Sequence, residues 1–103
     1  MRWLALLLIL GTPANAGDRE ARILCATETA NASNIMMMRQ TGHSYRQLAG
    51  IAQSVDPVAS TLYLGMVNDA FQRPAQRALS AKREAAYLFG QEWGARCRAR
   101  VGI

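Results

Sequence analysis

The sequence predicts an all-α fold, a small bundle of four helices in which one disulfide joins the first and last helices. Three observations support this prediction. Apolar residues recur at spacings of three and four, the period of a helix with one buried face. Capping and breaking residues divide the chain into four helical segments. The two cysteines lie in the first and last of those segments.

The N-terminal residues have the pattern of a secretory signal peptide. Arg2 precedes an apolar run from Trp3 to Leu10, and a polar stretch then ends in Ala-Asn-Ala. Small residues at those positions predict cleavage between Ala16 and Gly17. The apolar run is far shorter than the ~20 residues that span a bilayer. We therefore expect a signal peptide over 1–16, a single helical domain over 17–103 without a transmembrane segment, and a periplasmic or secreted location.

An exported chain folds in an oxidising compartment, where pairs of cysteines form disulfides. Cys25 and Cys97 allow one connectivity. The alternatives are a thiol nucleophile and a metal-binding pair. The sequence has a single histidine and the two cysteines are far apart, so neither alternative is supported.

Helix one is predicted from about Asp18 to Gln40, and Gly42 supplies the left-handed residue that commonly closes a helix. Its predicted inward face carries Ala21, Leu24, Cys25, Ala32, Ile35, Met36 and Met38.

Ser44 and Gln47 form a capping box for a second helix, from about Tyr45 to Val55. The pair Asp56-Pro57 then starts a third, which ends before Pro74. The residues predicted to face the core from these two helices are Leu48, Ile51, Ala52, Val55, Val58, Leu62, Met66, Val67, Ala70 and Phe71.

Ser80 is the predicted cap of helix four, which spans about Ala81 to Arg100. Phe89, Trp93 and Cys97 recur every four residues and should face inward beside Ala86. Glycines inside a helix each cost about 1 kcal/mol relative to alanine. The small-residue ridge formed by Ala86, Gly90 and Gly94 therefore predicts close approach of a neighbour, which should be helix one.

Three methionines and the only histidine lie close together in the stretch from Met36 to His43. Thioethers and imidazole can bind copper. However, consecutive helical residues point about 100° apart, so Met36, Met37 and Met38 cannot converge on one ion. We expect Met36 and Met38 to fill irregular core space and Met37 to be partly exposed, with His43 in an exposed loop.

No catalytic constellation is apparent. The sequence has no recognisable nucleophile–histidine pair, phosphate loop or zinc spacing, so no cofactor is predicted. Glu28 and Glu92 lie on or near inward helix faces, and a buried acid pair would be a candidate site. The favoured interpretation is that each pairs with an arginine: Glu28 with Arg39 or an arginine of helix four, and Glu92 with Arg96.

The chain is basic, with a net charge of +5 that falls to +4 without Arg2. Arg96, Arg98 and Arg100 cluster near the C-terminus. An anionic envelope component is one partner they could bind. The favoured interpretation is that they complement the helix dipole and keep the domain soluble. Nucleic acid is not expected, because no aromatic residues interleave with this cluster for base stacking.

Several short motifs resemble a group of small exported helical proteins of proteobacteria and their prophages. The resemblance covers nearly the whole chain after residue 16. It implies the same export and fold, but the group has no assigned activity, so it implies no catalytic or ligand residue. This chain has Phe71 where the group has tyrosine, and basic Lys82 and Arg83 where its last helix starts acidic. The motifs are Cys25, Ile35-Met36, Arg39-Gln40-x-Gly42, Met66-Val67-x-x-Ala70-Phe71-x-x-Pro74 and Phe89-x-x-x-Trp93-x-x-x-Cys97.

These observations predict an exported, non-enzymatic binding or accessory protein of the cell envelope, whose partner is an envelope protein or an anionic envelope component. A periplasmic stress protein with chaperone-like activity is the alternative, and a small enzyme or metal carrier is less favoured. Four polar residues could have either structural or binding roles: Glu28, Arg39, Gln40 and Glu92.

Overall fold

The computed structural model describes the backbone of residues 2–103 and the side chains of residues 17–103. The signal peptide predicted over residues 1–16 lies outside the described side chains, so it and the cleavage site after Ala16 stay predictions.

Four helices form the described part of the chain, which contains no strand, so the all-α prediction is confirmed. α1 and α4 pack most extensively, and α2 packs on α3. α1 begins at Arg2. The sequence prediction placed the start near Asp18, because it treated residues 1–16 as a signal peptide that is removed. The helices are α1 Arg2–Gln40, α2 Tyr45–Gln53, α3 Pro57–Phe71 and α4 Leu79–Val101.

The end of α1 has the geometry that glycine favours. Gly42 has a φ of 104°, in the left-handed region that side chains with a Cβ rarely adopt. Its N–H bonds the Arg39 carbonyl at 3.3 Å, and the His43 N–H bonds the Met38 carbonyl at 3.0 Å. These two bonds form a Schellman motif, so the predicted stop is confirmed.

The starts of α2 and α3 also follow the sequence. Ser44 and Gln47 form the predicted capping box. Asp56 Oδ1 accepts hydrogen bonds from the N–H groups of Val58 and Ala59 at 3.1 and 3.0 Å. Both caps satisfy N–H groups that have no partner inside the helix.

The predicted start of α4 is wrong. The helix begins at Leu79, and Ala78 occupies the cap position without a side-chain hydrogen bond, so Ser80 lies in the first turn. Lys82, also in the first turn, makes both local and tertiary contacts. Its N–H bonds the Ala78 carbonyl at 3.0 Å, and its ammonium group donates to the carbonyls of Gln40 and Gln76. Lys82 therefore links the first turn of α4 to the end of α1 and to the preceding connection.

α1 and α4 are joined by the Cys25–Cys97 disulfide, with Cα atoms 5.4 Å apart. The predicted glycine ridge lies against α1. A Cβ placed on Gly90 would be 2.8 Å from the Thr29 carbonyl oxygen and 2.9 Å from Ser33 Cβ. The absence of a side chain thus allows close approach, which compensates for the cost of glycine in a helix.

The core forms where all four helices meet, and Phe89 and Trp93 face it as predicted. Its largest fully buried side chains are Phe89, Ile35, Met36, Leu48, Met66, Val67 and Cys97.

Four residues predicted for the core are exposed instead: Leu24, Ile51, Val55 and Val58. They lie on correct apolar stripes, but no helix of the described residues covers those turns. A stripe identifies an apolar face, whereas the lengths and placement of neighbouring helices decide how much of it is buried.

Candidate functional site

An open groove of about 450 Å³ lies where the start of α3, the body of α1 and the C-terminal end of α4 meet. Its volume falls in the range of ligand sites, ~300–1,000 Å³. Apolar and charged side chains both contribute to its walls. They are Leu24, Glu28, Asp56, Val58, Ala59, Leu62 and Arg100.

Glu28 is the most enclosed charged residue of the groove, with only 3% of its surface exposed. Its Oε1 accepts a hydrogen bond from Arg100 Nη2 at 2.5 Å. Its Oε2 is buried, and no side chain or backbone group of the described residues donates to it. Burying a carboxylate oxygen without a hydrogen bond is costly, so Oε2 is an enclosed acceptor that the described residues leave unpaired.

The disulfide helps to position this ion pair. Helical side chains point back toward their own N-terminus, and the Arg100 side chain follows that direction past Cys97, with Nη2 3.5 Å from Cys97 Sγ. It reaches Glu28 on α1, one turn beyond Cys25. The bond between the cysteines therefore holds both partners of the ion pair on adjacent helices.

Asp56 adds a second carboxylate to the groove. Its Oδ1 caps α3 through Val58 and Ala59. Together Asp56 and Glu28 outnumber Arg100, so the groove lining has one more acidic than basic residue, although the chain as a whole is basic. Local charge in a partly enclosed site influences ligand choice more than net charge does.

The apolar part of the lining is accessible to a ligand. Val58 is 84% exposed and Leu24 is 46% exposed, and both were predicted to be in the core. Leu62 and Ala59 are half-buried between them and the interior. The arrangement therefore offers an accessible apolar surface next to a buried ion pair.

The predicted partners of the two glutamates are partly confirmed. Glu28 does pair with a helix-four arginine, Arg100, and not with Arg39. Glu92 pairs with Arg73 at 2.8 Å and not with Arg96 as predicted. Arg73 follows the end of α3, so a tertiary contact supplies the partner of Glu92 in place of the next turn of the same helix.

Glu92 belongs to a network that connects α3 to α4. The hydrogen bond from Arg73 to Glu92, followed by the nearby charge of Asp69, raises the pKa of the Arg73 guanidinium above its ordinary value despite partial burial. Asp69 also accepts from Trp93 Nε1 at 3.0 Å and pairs with Arg96 at 3.5 Å. All these groups have protein partners, so the network has a structural role.

Arg39 and Gln40 hold the segment between α3 and α4. Arg39 Nη2 donates to the Arg73 carbonyl at 3.1 Å, and its guanidinium lies 4.7 Å from the centre of the Phe71 ring. This geometry gives Arg39 a structural role, one of the two roles that its sequence position allowed.

Gln40 is 2% exposed, and both ends of its amide are used. Nε2 donates to the Pro74 carbonyl at 3.0 Å, and Oε1 accepts from the Gln76 N–H at 2.7 Å. These bonds give a structural reason for the Arg-Gln-x-Gly motif: two side chains fasten the connection, and the glycine ends the helix.

The methionine stretch has partners inside the protein. Met36 is buried, and its sulfur lies 3.3 Å from Gln40 Nε2. Met37 and Met38 are half-buried and pack against the core. The exposed His43 ring has Nδ1 3.1 Å from the Met38 carbonyl oxygen. No cluster of three histidine, cysteine or acidic side chains that could hold a metal was found within the described residues.

Sequence reasoning identified Glu28 but missed the rest of the groove. Asp56 was recognised only as a cap, and Leu24 and Val58 only as core residues. Arg100 was considered as a helix-dipole or anion-binding cation and as one of several possible partners of Glu28. The apolar stripes that contain Leu24 and Val58 are visible in the sequence. Which of their residues are left exposed to form a groove depends on how the helices are placed.

Comparisons with protein-family models, curated proteins and solved structures found no match to this chain. Among the described residues, no helix combines the length and apolarity that a membrane span requires. The resemblance to exported proteobacterial and prophage proteins therefore stays a prediction.

Proposed function

We propose that this chain is an exported, non-enzymatic binding protein of the cell envelope that acts through the groove between α1, α3 and α4. The observation that carries the proposal is the groove itself, in which exposed apolar side chains lie beside the Glu28–Arg100 ion pair. A partner that covers the exposed apolar side chains would gain from their burial.

The disulfide supports this proposal in two ways. It joins the two helices that carry Glu28 and Arg100, so the site is largely organised before a ligand arrives, which reduces the entropy lost on binding. It also suits an oxidising compartment, in agreement with the signal-peptide pattern of residues 1–16.

Site-specific photo-crosslinking in the envelope tests the proposed site. A crosslinking amino acid at Val58, in the groove, is compared with one at Tyr87, which is exposed on α4 outside it. Both proteins are expressed with their own N-terminal residues in a Gram-negative host that carries the gene. We expect a discrete adduct from position 58 and none of that mass from position 87. Equal adducts from both positions, or none from position 58, would refute the groove as the binding site.

Mass spectrometry of periplasmic extracts tests the export part of the proposal separately. We expect a chain that starts at Gly17 and contains no free thiol. A protein found only in the cytoplasm, or recovered with reduced cysteines, would contradict export whatever the crosslinking shows.

A further inference from the structure

We infer that the outer face of α4 binds a second copy of this chain, so that two α4 helices pair antiparallel in a reversible dimer. This surface lies apart from the groove between α1, α3 and α4, and the inference goes beyond the proposed function. The residues of the outer face repeat at spacings of four and three along the helix. They are Glu84, Leu88, Gln91, Ala95 and Arg98.

The outer face of α4 is uncovered along its whole length. All five of its residues are exposed, whereas the opposite side of the helix, which carries Phe89 and Cys97, is buried against α1 and the core. Leu88 is 51% exposed, and together with Gln91 and Ala95 it lines an open groove of about 530 Å³. Alternating spacings of four and three are typical of the seam between two paired helices, and no described helix occupies this seam.

The outer face carries opposite charges at its two ends, and neither charge is neutralised within the chain. None of the ion pairs between described residues includes Glu84 or Arg98. Residues 1–16 contain no acidic residue, so they have no carboxylate to offer Arg98. The two charged residues lie seven positions before and after Gln91, close to two helical turns each way, and so share its face.

This charge arrangement selects both the partner and its direction. In a parallel pair, each Glu84 would face the Glu84 of the other copy and each Arg98 the other Arg98, which is repulsive. In an antiparallel pair with a two-fold axis near Leu88 and Gln91, each Glu84 meets the Arg98 of the other copy. A two-fold axis requires a surface that is complementary to itself, and the outer face of α4 meets that requirement.

The side chains of the outer face suit such a contact. Arg98 Nη1 lies 3.3 Å from a Cβ placed on Gly94, so its guanidinium extends along α4 towards the proposed axis. Leu88 supplies the apolar centre, and the small side chain of Ala95 leaves room for the Leu88 of the other copy. Burial of these apolar groups favours association, while the two ion pairs fix its direction.

The dimer should be weak and sensitive to salt. A contact between two single helices is smaller than the ~1,200 Å² that stable interfaces bury, and an exposed ion pair contributes at most about 1 kcal/mol. We therefore expect a monomer in dilute solution and a growing fraction of dimer as the protein concentration rises. Added salt should reduce that fraction, because it screens exposed charges.

Sedimentation equilibrium of the purified protein, with its disulfide intact, tests this inference at a series of concentrations in low salt. Glu84→Arg and Arg98→Glu each replace both intermolecular ion pairs by like-charge contacts. We expect each variant to weaken self-association at least about tenfold. The double variant, which exchanges the two charges, should restore it. An equimolar mixture of the two single variants should form a heterodimer, because all four of its charges are then paired.

A substitution at the centre tests the apolar part of the contact. Leu88→Asp should abolish self-association, because it places two carboxylates near the axis. Ile51→Asp is the matched control, since Ile51 on α2 is 46% exposed and lies outside the outer face of α4. It should leave the dimer unchanged. All these positions are exposed, and circular dichroism checks that each variant folds.

Several results would overturn the inference. One is a protein that stays monomeric up to about 1 mM, where a binding free energy of only about 4 kcal/mol would be detected. Others are unchanged association in both single charge variants, no recovery in the double variant, or equal effects of Leu88→Asp and Ile51→Asp. None of these results affects the position-58 adduct, so the proposed groove is tested separately.

Discussion

Arg100 reaches across the disulfide to Glu28, placing Nη2 2.5 Å from Glu28 Oε1 and 3.5 Å from Cys97 Sγ. The two residues are far apart in sequence and lie on different helices. Their ion pair is therefore a product of the α1–α4 packing. The pair lies next to the Cys25–Cys97 disulfide and lines the groove proposed to bind a partner.

Removing Arg100 should destabilise the protein, because the buried Glu28 would lose the one cationic partner it has among the described residues. Breaking a fully buried pair costs about 3–5 kcal/mol. Arg100 is half exposed, so we expect Arg100→Ala to lower the free energy of unfolding by about 2 kcal/mol. Urea denaturation followed by circular dichroism measures this change.

Arg98→Ala is the matched control, since Arg98 is exposed and forms no ion pair among the described residues. It should change stability by less than about 0.5 kcal/mol. Adding Glu28→Gln to Arg100→Ala should recover part of the loss. Equal effects of the two arginine substitutions would show that the ion pair contributes nothing specific.

Loss of the disulfide should be the most destabilising of these changes. It closes a loop with a sequence separation of 72, and in the chain-entropy model such a crosslink contributes about 4 kcal/mol. The double substitution Cys25→Ala with Cys97→Ala should lower the urea midpoint accordingly. Treating the native protein with a reducing agent should have a similar effect, whereas the reagent should not alter the double variant. Unchanged stability on reduction would contradict the prediction.

Gly90 and Gly50 should respond to alanine in opposite directions. A Cβ at Gly90 would be 2.8 Å from the Thr29 carbonyl oxygen, whereas nothing lies within 4 Å of one at Gly50. Gly50→Ala should stabilise the protein by about 0.5–1 kcal/mol through helix propensity. Gly90→Ala should destabilise it by about 1–3 kcal/mol, because α1 and α4 must separate. Thermal unfolding of both variants checks the signs, and stabilisation by Gly90→Ala would disprove the close helix contact.

Gln40→Ala should loosen the connection between α3 and α4. It removes hydrogen bonds to the Pro74 carbonyl and the Gln76 N–H, both of them partly buried, at a cost of about 1 kcal/mol. Hydrogen exchange at the Gln76 amide should accelerate at least about tenfold. Gln91→Ala, at an exposed position of α4, is the control. If Gln76 exchanges equally fast in both variants, the role assigned to Gln40 is wrong.

Local signals in the sequence were sufficient for most of the fold. Gly42, Ser44 and Asp56 specify helix ends through backbone geometry and short-range hydrogen bonds, which depend only on neighbouring residues. The spacing of Phe89, Trp93 and Cys97 specifies an inward face in the same local way. Two cysteines allow one pairing, so the disulfide also followed from the sequence.

Only the tertiary structure decided which residues of different helices contact one another and which apolar residues stay exposed. Helix placement brings Lys82 to the Gln40 carbonyl and Arg73 to Glu92. Val58 is exposed because no helix of the described residues covers it. The groove is likewise formed by residues from three helices. Such features arise from the distances between helices, which depend on how all the side chains pack together, and no local periodicity in a chain encodes them.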